Sequence, residues 1–124
     1  MIHPSDADFD RAVEEALADI PAFFRPHLEN VVIEVRDRPD PKLMRDEEVP
    51  GDLLGLYLGV PLAEKGPDVM PAALPDRILV FRDNLCAMCE NWDELVGEIR
   101  VTVLHEIGHH FGLDEERLAD LGYD

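Results

Sequence analysis

The chain is poor in cations. Eleven Lys and Arg stand against 28 Asp and Glu, giving 124 residues a formal net charge of −17 at pH 7. Such a surface repels phosphate backbones and anionic lipid, so neither nucleic acid nor a membrane is expected as a partner. Cysteine is scarce as well: only Cys86 and Cys89, in "CAMC". No second pair completes a four-ligand structural zinc site. A redox pair usually opens a helix in a βα unit, whereas this one reads as a short link before a helix. Reduced, packed thiols are therefore expected, with a redox role as the alternative. No apolar run reaches the roughly 18 residues of a membrane helix. The start, "MIHPSDADFD", lacks the basic and apolar segments of a secretory signal, so a cytoplasmic protein is expected. Hydrophobic residues make up 46%, enough for one compact core, and the length suits a single domain over 1–124.

The pattern along the chain predicts helix, three strands, two helices. Ser5 to Asp19 reads as a helix, with Ser5 as cap and Phe9, Val13, Ala16, Leu17 and Ile20 on one apolar face. Val31 to Arg36 is β-branched and reads as a strand. "DRPDPKLMRDEEVPGD" reads as a loop because of its prolines and charges. A second strand is expected over about Leu53 to Gly59, its glycines suggesting an edge, a bulge or a close backbone approach. After a further loop, "AEKGPDVMPAALPD", the third strand runs from Arg77 to Arg82. Asn91, with Glu94 three residues on, caps a long helix to about Phe111, which Gly112 stops. A short helix over Asp114 to Leu121 follows. This order predicts an α+β domain with a small sheet backed by helices.

The long helix carries the chemistry. On a wheel of about 100° per residue, Glu98, Thr102, His105 and His109 form one polar strip, with Glu106 on its flank. Ile99, Val103, Leu104 and Ile107 lie opposite. His105 and His109 are one turn apart, the spacing with which two imidazoles hold one tetrahedral zinc. Glu106 lies beside such a metal, where a general base must be. With 5 His in 124 residues, chance gives about 0.02 H-E-x-x-H matches; two surface histidines on an amphipathic helix are the alternative reading. His110 falls about 140° round the wheel, among the apolar residues, and is expected to be a hydrogen-bonded core histidine. Stacking on the substrate side is its alternative. Gly112 lets the chain fold back sharply, which makes Asp114 and Glu115 the first carboxylates available as a third ligand.

"HEIGHHFGLDE" resembles the extended H-E-x-x-H-x-x-G-x-x-ligand motif of zincin metallopeptidases. Together with "LLGLYLGVPL" and "DRILVFRDNL", the ending is similar to the small bacterial zincin-like metallopeptidases, the minimal zincins. The resemblance spans roughly Asp52 to Tyr123 and is strongest at the motif. It implies a minimal zincin-like fold: a small mixed three-stranded sheet packed on helices that include the motif helix. It also implies one catalytic zinc ion on His105, His109 and a third ligand. The register puts Glu115 at the third position, with Asp114 as the alternative. Metzincins place a methionine turn under the metal after the motif, but all four Met residues here precede it. Tyr123 is the one large aromatic left to support the site, and a frayed terminal tyrosine is the other reading.

These readings imply zinc-dependent hydrolysis of peptide bonds with Glu106 as general base. The alternative is a weak or inactive zincin-shaped module that binds peptide or metal. Other divalent metals can replace zinc in vitro. The expected partner is a peptide or protein substrate, which the resemblance implies adds as an extra strand at a sheet edge; "LLGLYLGVPL" is the candidate edge, though its apolar run equally suits an inner strand. A homodimer is compatible with the sequence. Tyr57 and Tyr123 are the only phenols that could donate to an oxyanion.

Overall fold

A computed structural model of the chain describes residues 1–59 and 75–110, together with Glu116 and Asp120, both helical. Helix α1 spans Asp6–Ala18. A short 3-10 helix, Arg25–Leu28, leads into β1, Val31–Arg36. Helix α2 (Pro41–Glu47) and strand β2 (Gly55–Leu58) follow. Strand β3 (Asp76–Phe81) runs directly into α3 (Arg82–Met88), and α4 spans Trp92–His110. Among the described residues no helix is long and apolar enough to cross a membrane.

The sheet has the order β1-β3-β2. β1 pairs parallel with β3, from Val31 opposite Asp76 to Arg36 opposite Phe81. β2 pairs antiparallel with β3, from Gly55 opposite Val80 to Leu58 opposite Arg77. The fold is α+β with a small mixed sheet, as expected. β3 is the central strand, and its Ile78, Leu79, Val80 and Phe81 are all buried. Alternation sends Ile78 and Val80 into the main core. There they join Phe9, Val13 and Ala16 of α1 and Leu95, Ile99, Val103 and Ile107 of α4.

Helix ends follow their caps. The Ser5 hydroxyl accepts a hydrogen bond from the Asp8 N–H at 3.1 Å. At α4 the Asn91 side-chain oxygen accepts from the Glu94 N–H at 2.9 Å. Its amide nitrogen donates to the Glu94 carboxylate at 3.0 Å, so two polar groups at this helix start are satisfied reciprocally. Trp92 Nε1 donates to Glu15 at 2.6 Å, tying α4 to α1.

Two expectations are corrected here. The proline-rich stretch after β1 is not all loop, because it contains α2. Pro41 occupies the first helical position, where its missing N–H costs nothing, and Asp40 caps the helix by accepting from the Leu43 N–H at 2.7 Å. The cysteines do not lie in a link. Cys86 is inside α3 and Cys89 caps its end, and both are buried in the core. The remaining boundaries differ by one or two residues. The second expected loop falls largely outside the described residues. So does the end of the long helix at Gly112 and, apart from Glu116 and Asp120, the last helix.

Candidate functional site

Position on α4 decides the site. The apolar arc of the wheel is the buried face: Ile99, Val103 and Leu104 have no exposed surface and Ile107 has 1%. Thr102 on the polar strip is also buried, because β2 lies against it. A Cβ on Gly55 would stand 2.5 Å from Thr102 Cγ2 and 3.1 Å from the Leu79 carbonyl oxygen. Only glycine lets the strand seat this closely on the helix. Asn84 of α3 anchors the approach to β2, its side-chain nitrogen donating to the carbonyls of Gly51 and Leu53 at 2.9 and 2.8 Å.

On the strip, His105 and His109 point the same way. Their Nε2 atoms are 2.8 Å apart and their rings meet edge-on, with centroids at 4.5 Å. Two imidazoles on one tetrahedral zinc at about 2.0–2.1 Å have nitrogens roughly 3.3 Å apart. An opening of about half an ångström, within rotamer adjustment, therefore accommodates the ion. Two convergent ring nitrogens are the donor type that zinc takes. The residues present fit the metal.

Glu106 lies on the flank of the pair and is half-buried. Burial pushes its carboxyl above the ordinary carboxylate range. The neighbouring His105 and His109 oppose that shift, as does the backbone N–H of Tyr57, which favours the charged carboxylate. A carboxylate raised in this way, beside two metal-type ligands, is a stronger base than one in water.

Strand β2 runs beside the C-terminal half of α4 and is an edge of the described sheet, as one reading of its glycines suggested. Its Tyr57 hydroxyl donates to Asp76 Oδ2 at 2.8 Å. Burial and that partner push the phenol upward, so it stays protonated at neutral pH. With its proton engaged by Asp76, Tyr57 is not aimed at an oxyanion in this arrangement. The Tyr57 ring stacks on His110 at 3.9 Å, with 11° between the planes. His110 Nε2 lies 3.9 Å from Asp76 Oδ2, and its side chain is 37% exposed. The expected core histidine is thus corrected. At this end of α4 the 140° direction faces Tyr57 and Gly59 of the β2 segment, so the apolar environment implied by the wheel is absent there. Sequence reasoning misses the Tyr57–Asp76–His110 cluster, because it needs the pairing of β2 with β3.

Among the described residues no group of three or more His, Cys, Asp and Glu could hold a metal. His105, Glu106 and His109 are described; Glu115, Asp114 and Tyr123 lie outside the described residues.

The model of the zincin-like metallopeptidase family matches residues 28–123. The chain belongs to the zincin-like metallopeptidase family. That match covers every element from the end of the 3-10 helix onward, including the motif helix. The solved structure of a conserved hypothetical protein from T. thermophilus is similar, with a TM-score of 0.54 and 25% sequence identity. The similarity covers 94% of this chain and 98% of that one. No curated protein matches. Zinc binding is general in the zincin-like family, and the matched residues include the helix that bears His105 and His109.

Proposed function

We infer that the protein is a zinc-dependent peptidase in which Glu106 is the general base. The observation that carries this reading is the convergence of the His105 and His109 Nε2 atoms to 2.8 Å beside a half-buried carboxylate of raised proton affinity. His105, His109 and Glu115 would hold the ion, with Asp114 as the alternative third ligand. Zinc, when bound, supplies Lewis acidity toward a peptide carbonyl and toward water.

The chain's own groups do the rest. A Glu106 carboxylate oxygen takes a proton from the attacking water and delivers it to the departing amine nitrogen. The Tyr57 N–H favours the charged form of that carboxylate, and burial, the larger effect, keeps it basic. The outer side of β2 is where an extended peptide adds as a further strand, main chain to main chain. Seated there, the peptide bond passes over the strip that holds the two histidines.

The test is metal content followed by cleavage. Protein purified without chelator should contain close to one zinc per chain and cut unstructured peptides. Glu106→Gln should retain the zinc and lose cleavage by about 100-fold or more, the scale of a missing general base. Equal cleavage by both proteins would overturn the mechanism. Zinc without any cleavage by the wild type would point instead to a zincin-shaped binding module.

A further inference from the structure

A cleft of about 510 Å³ opens beside His105, between the approach to β2 and α4. Leu53, Leu54, Met88 and Val101 give it apolar walls. Met88 is 53% exposed, one of few large apolar side chains left open to solvent. The floor is the polar strip of α4: Glu98, then Thr102, then His105 and Glu106. Glu98 is two turns before His105, about 10 Å down the helix axis.

Glu98 is half-buried, and among the described residues its side chain has no hydrogen-bond or ion-pair partner. Its charge reaches the Cys89 thiol, whose proton it helps retain. A carboxylate at the end of an apolar-walled cleft, with no cation beside it among the described residues, can receive one from a ligand. An apolar-walled cleft with one carboxylate at its far end matches a long aliphatic stem with a cationic tip, since such side chains bury the stem and pair the head.

We propose that this cleft selects peptides with lysine or arginine next to the bond that is cut: Leu53, Leu54, Met88 and Val101 hold the stem and Glu98 receives the cation. The proposal rests on the peptidase reading for the position of the reacting bond. A short apolar residue would leave Glu98 unpaired, and an acidic one would be repelled. The formal net charge of −17 draws cationic peptides toward the molecule as a whole. Glu106 is not the receptor of the cation, because it lies level with the histidines at the near end of the cleft.

The test uses zinc-loaded full-length protein carrying Glu106→Gln, so that bound peptides persist. Three fluorescent peptides, identical except for one lysine, norleucine or glutamate, are compared by anisotropy. The lysine peptide should bind about tenfold more tightly than the norleucine peptide, the scale of one charge-assisted hydrogen bond at a half-buried site. The glutamate peptide should bind most weakly. Adding Glu98→Gln should bring the lysine-to-norleucine ratio to about one, and Glu98→Lys should reverse the preference toward glutamate. Norleucine affinity should stay within about twofold in both, since the apolar walls are intact, and this controls for folding.

Equal binding of lysine and norleucine peptides, or no binding of any, overturns the proposal. So does a ratio unchanged by Glu98→Gln. Collapse of norleucine binding in both variants overturns it too, because Glu98 would then support the cleft instead of reading charge. Cleavage of the same peptides by protein with Glu106 intact tests the peptidase reading separately. No cleavage alongside a retained lysine preference would sink that reading and leave the cation subsite standing.

Discussion

Gly55→Ala tests the seat of β2 on α4. The added methyl would stand 2.5 Å from Thr102 Cγ2 and 3.1 Å from the Leu79 carbonyl oxygen. Carbon–carbon contact is comfortable at about 3.5–4.0 Å, so the strand or the helix must yield by roughly 1 Å. Neither moves cheaply. Thr102 is followed on its helix by the fully buried Val103 and Leu104, and Leu79 belongs to the central strand. Overpacking of this kind costs about 1–3 kcal/mol. With an m-value of about 1.5 kcal/mol/M, the urea midpoint should fall by roughly 1 M. The diagnostic partner is Thr102→Ser, which deletes Cγ2 and relieves the shorter contact. The double variant should be destabilised by about 1 kcal/mol less than the sum of the two single changes. Displacement of β2 also draws the Tyr57 N–H away from Glu106, so peptide cleavage should fall together with stability. A Gly55→Ala protein as stable as the wild type, or strict additivity in the double variant, would refute the packing argument.

The remaining expectations concern the cap, the thiols and the third ligand. Asn91→Ala removes both hydrogen bonds of the α4 cap and should cost about 1 kcal/mol in chemical denaturation, without shifting zinc stoichiometry. Burial, with help from Glu98 and Glu94, pushes the Cys89 thiol up to about 11, so at pH 8 about one part in a thousand is thiolate, against roughly a quarter of an ordinary thiol. Native protein should therefore react with a thiol reagent at least a hundredfold more slowly at this site than the urea-unfolded chain, and rapid native labelling would contradict the assignment. Because the folded state holds this proton after the unfolded chain has released it, the group's stabilising contribution is complete below about pH 8.5 and declines toward pH 11, which denaturation across that range would register. Glu115→Ala should weaken zinc by competition assay far more than Asp114→Ala, and the reverse order would shift the third-ligand register by one residue.

Local rules make several elements legible in the residues alone. The cap residues Ser5 and Asn91 are readable because capping is a short-range match between one side chain and the next turn's N–H groups. β1 is readable from its run of β-branched residues. Helix α2 is not, because its prolines count as breakers unless Pro41 is recognised as a first-turn residue behind the Asp40 cap. The cysteines are misplaced by pattern alone because β3 passes into α3 without a turn residue between them; Arg82 follows the last strand residue and begins the helix.

What the sequence determined by itself is the histidine pair. The pitch of an α-helix puts residues four apart on one side, so His105 and His109 converge wherever this helix goes, with Glu106 on their flank. What surrounds that pair belongs to tertiary structure. The pairing of β2 with β3, and the room that Gly55 leaves against Thr102, bring the Tyr57 N–H to Glu106 and its ring to His110. That placement turned His110 from an expected core residue into a stacked, solvent-facing one. It also opened the cleft that joins Leu53, Met88 and Glu98 beside His105, residues too far apart in the chain for any local pattern to unite. Helical geometry is a property of consecutive residues. A cleft is a property of which surfaces pack, and packing is settled only when the whole chain has folded.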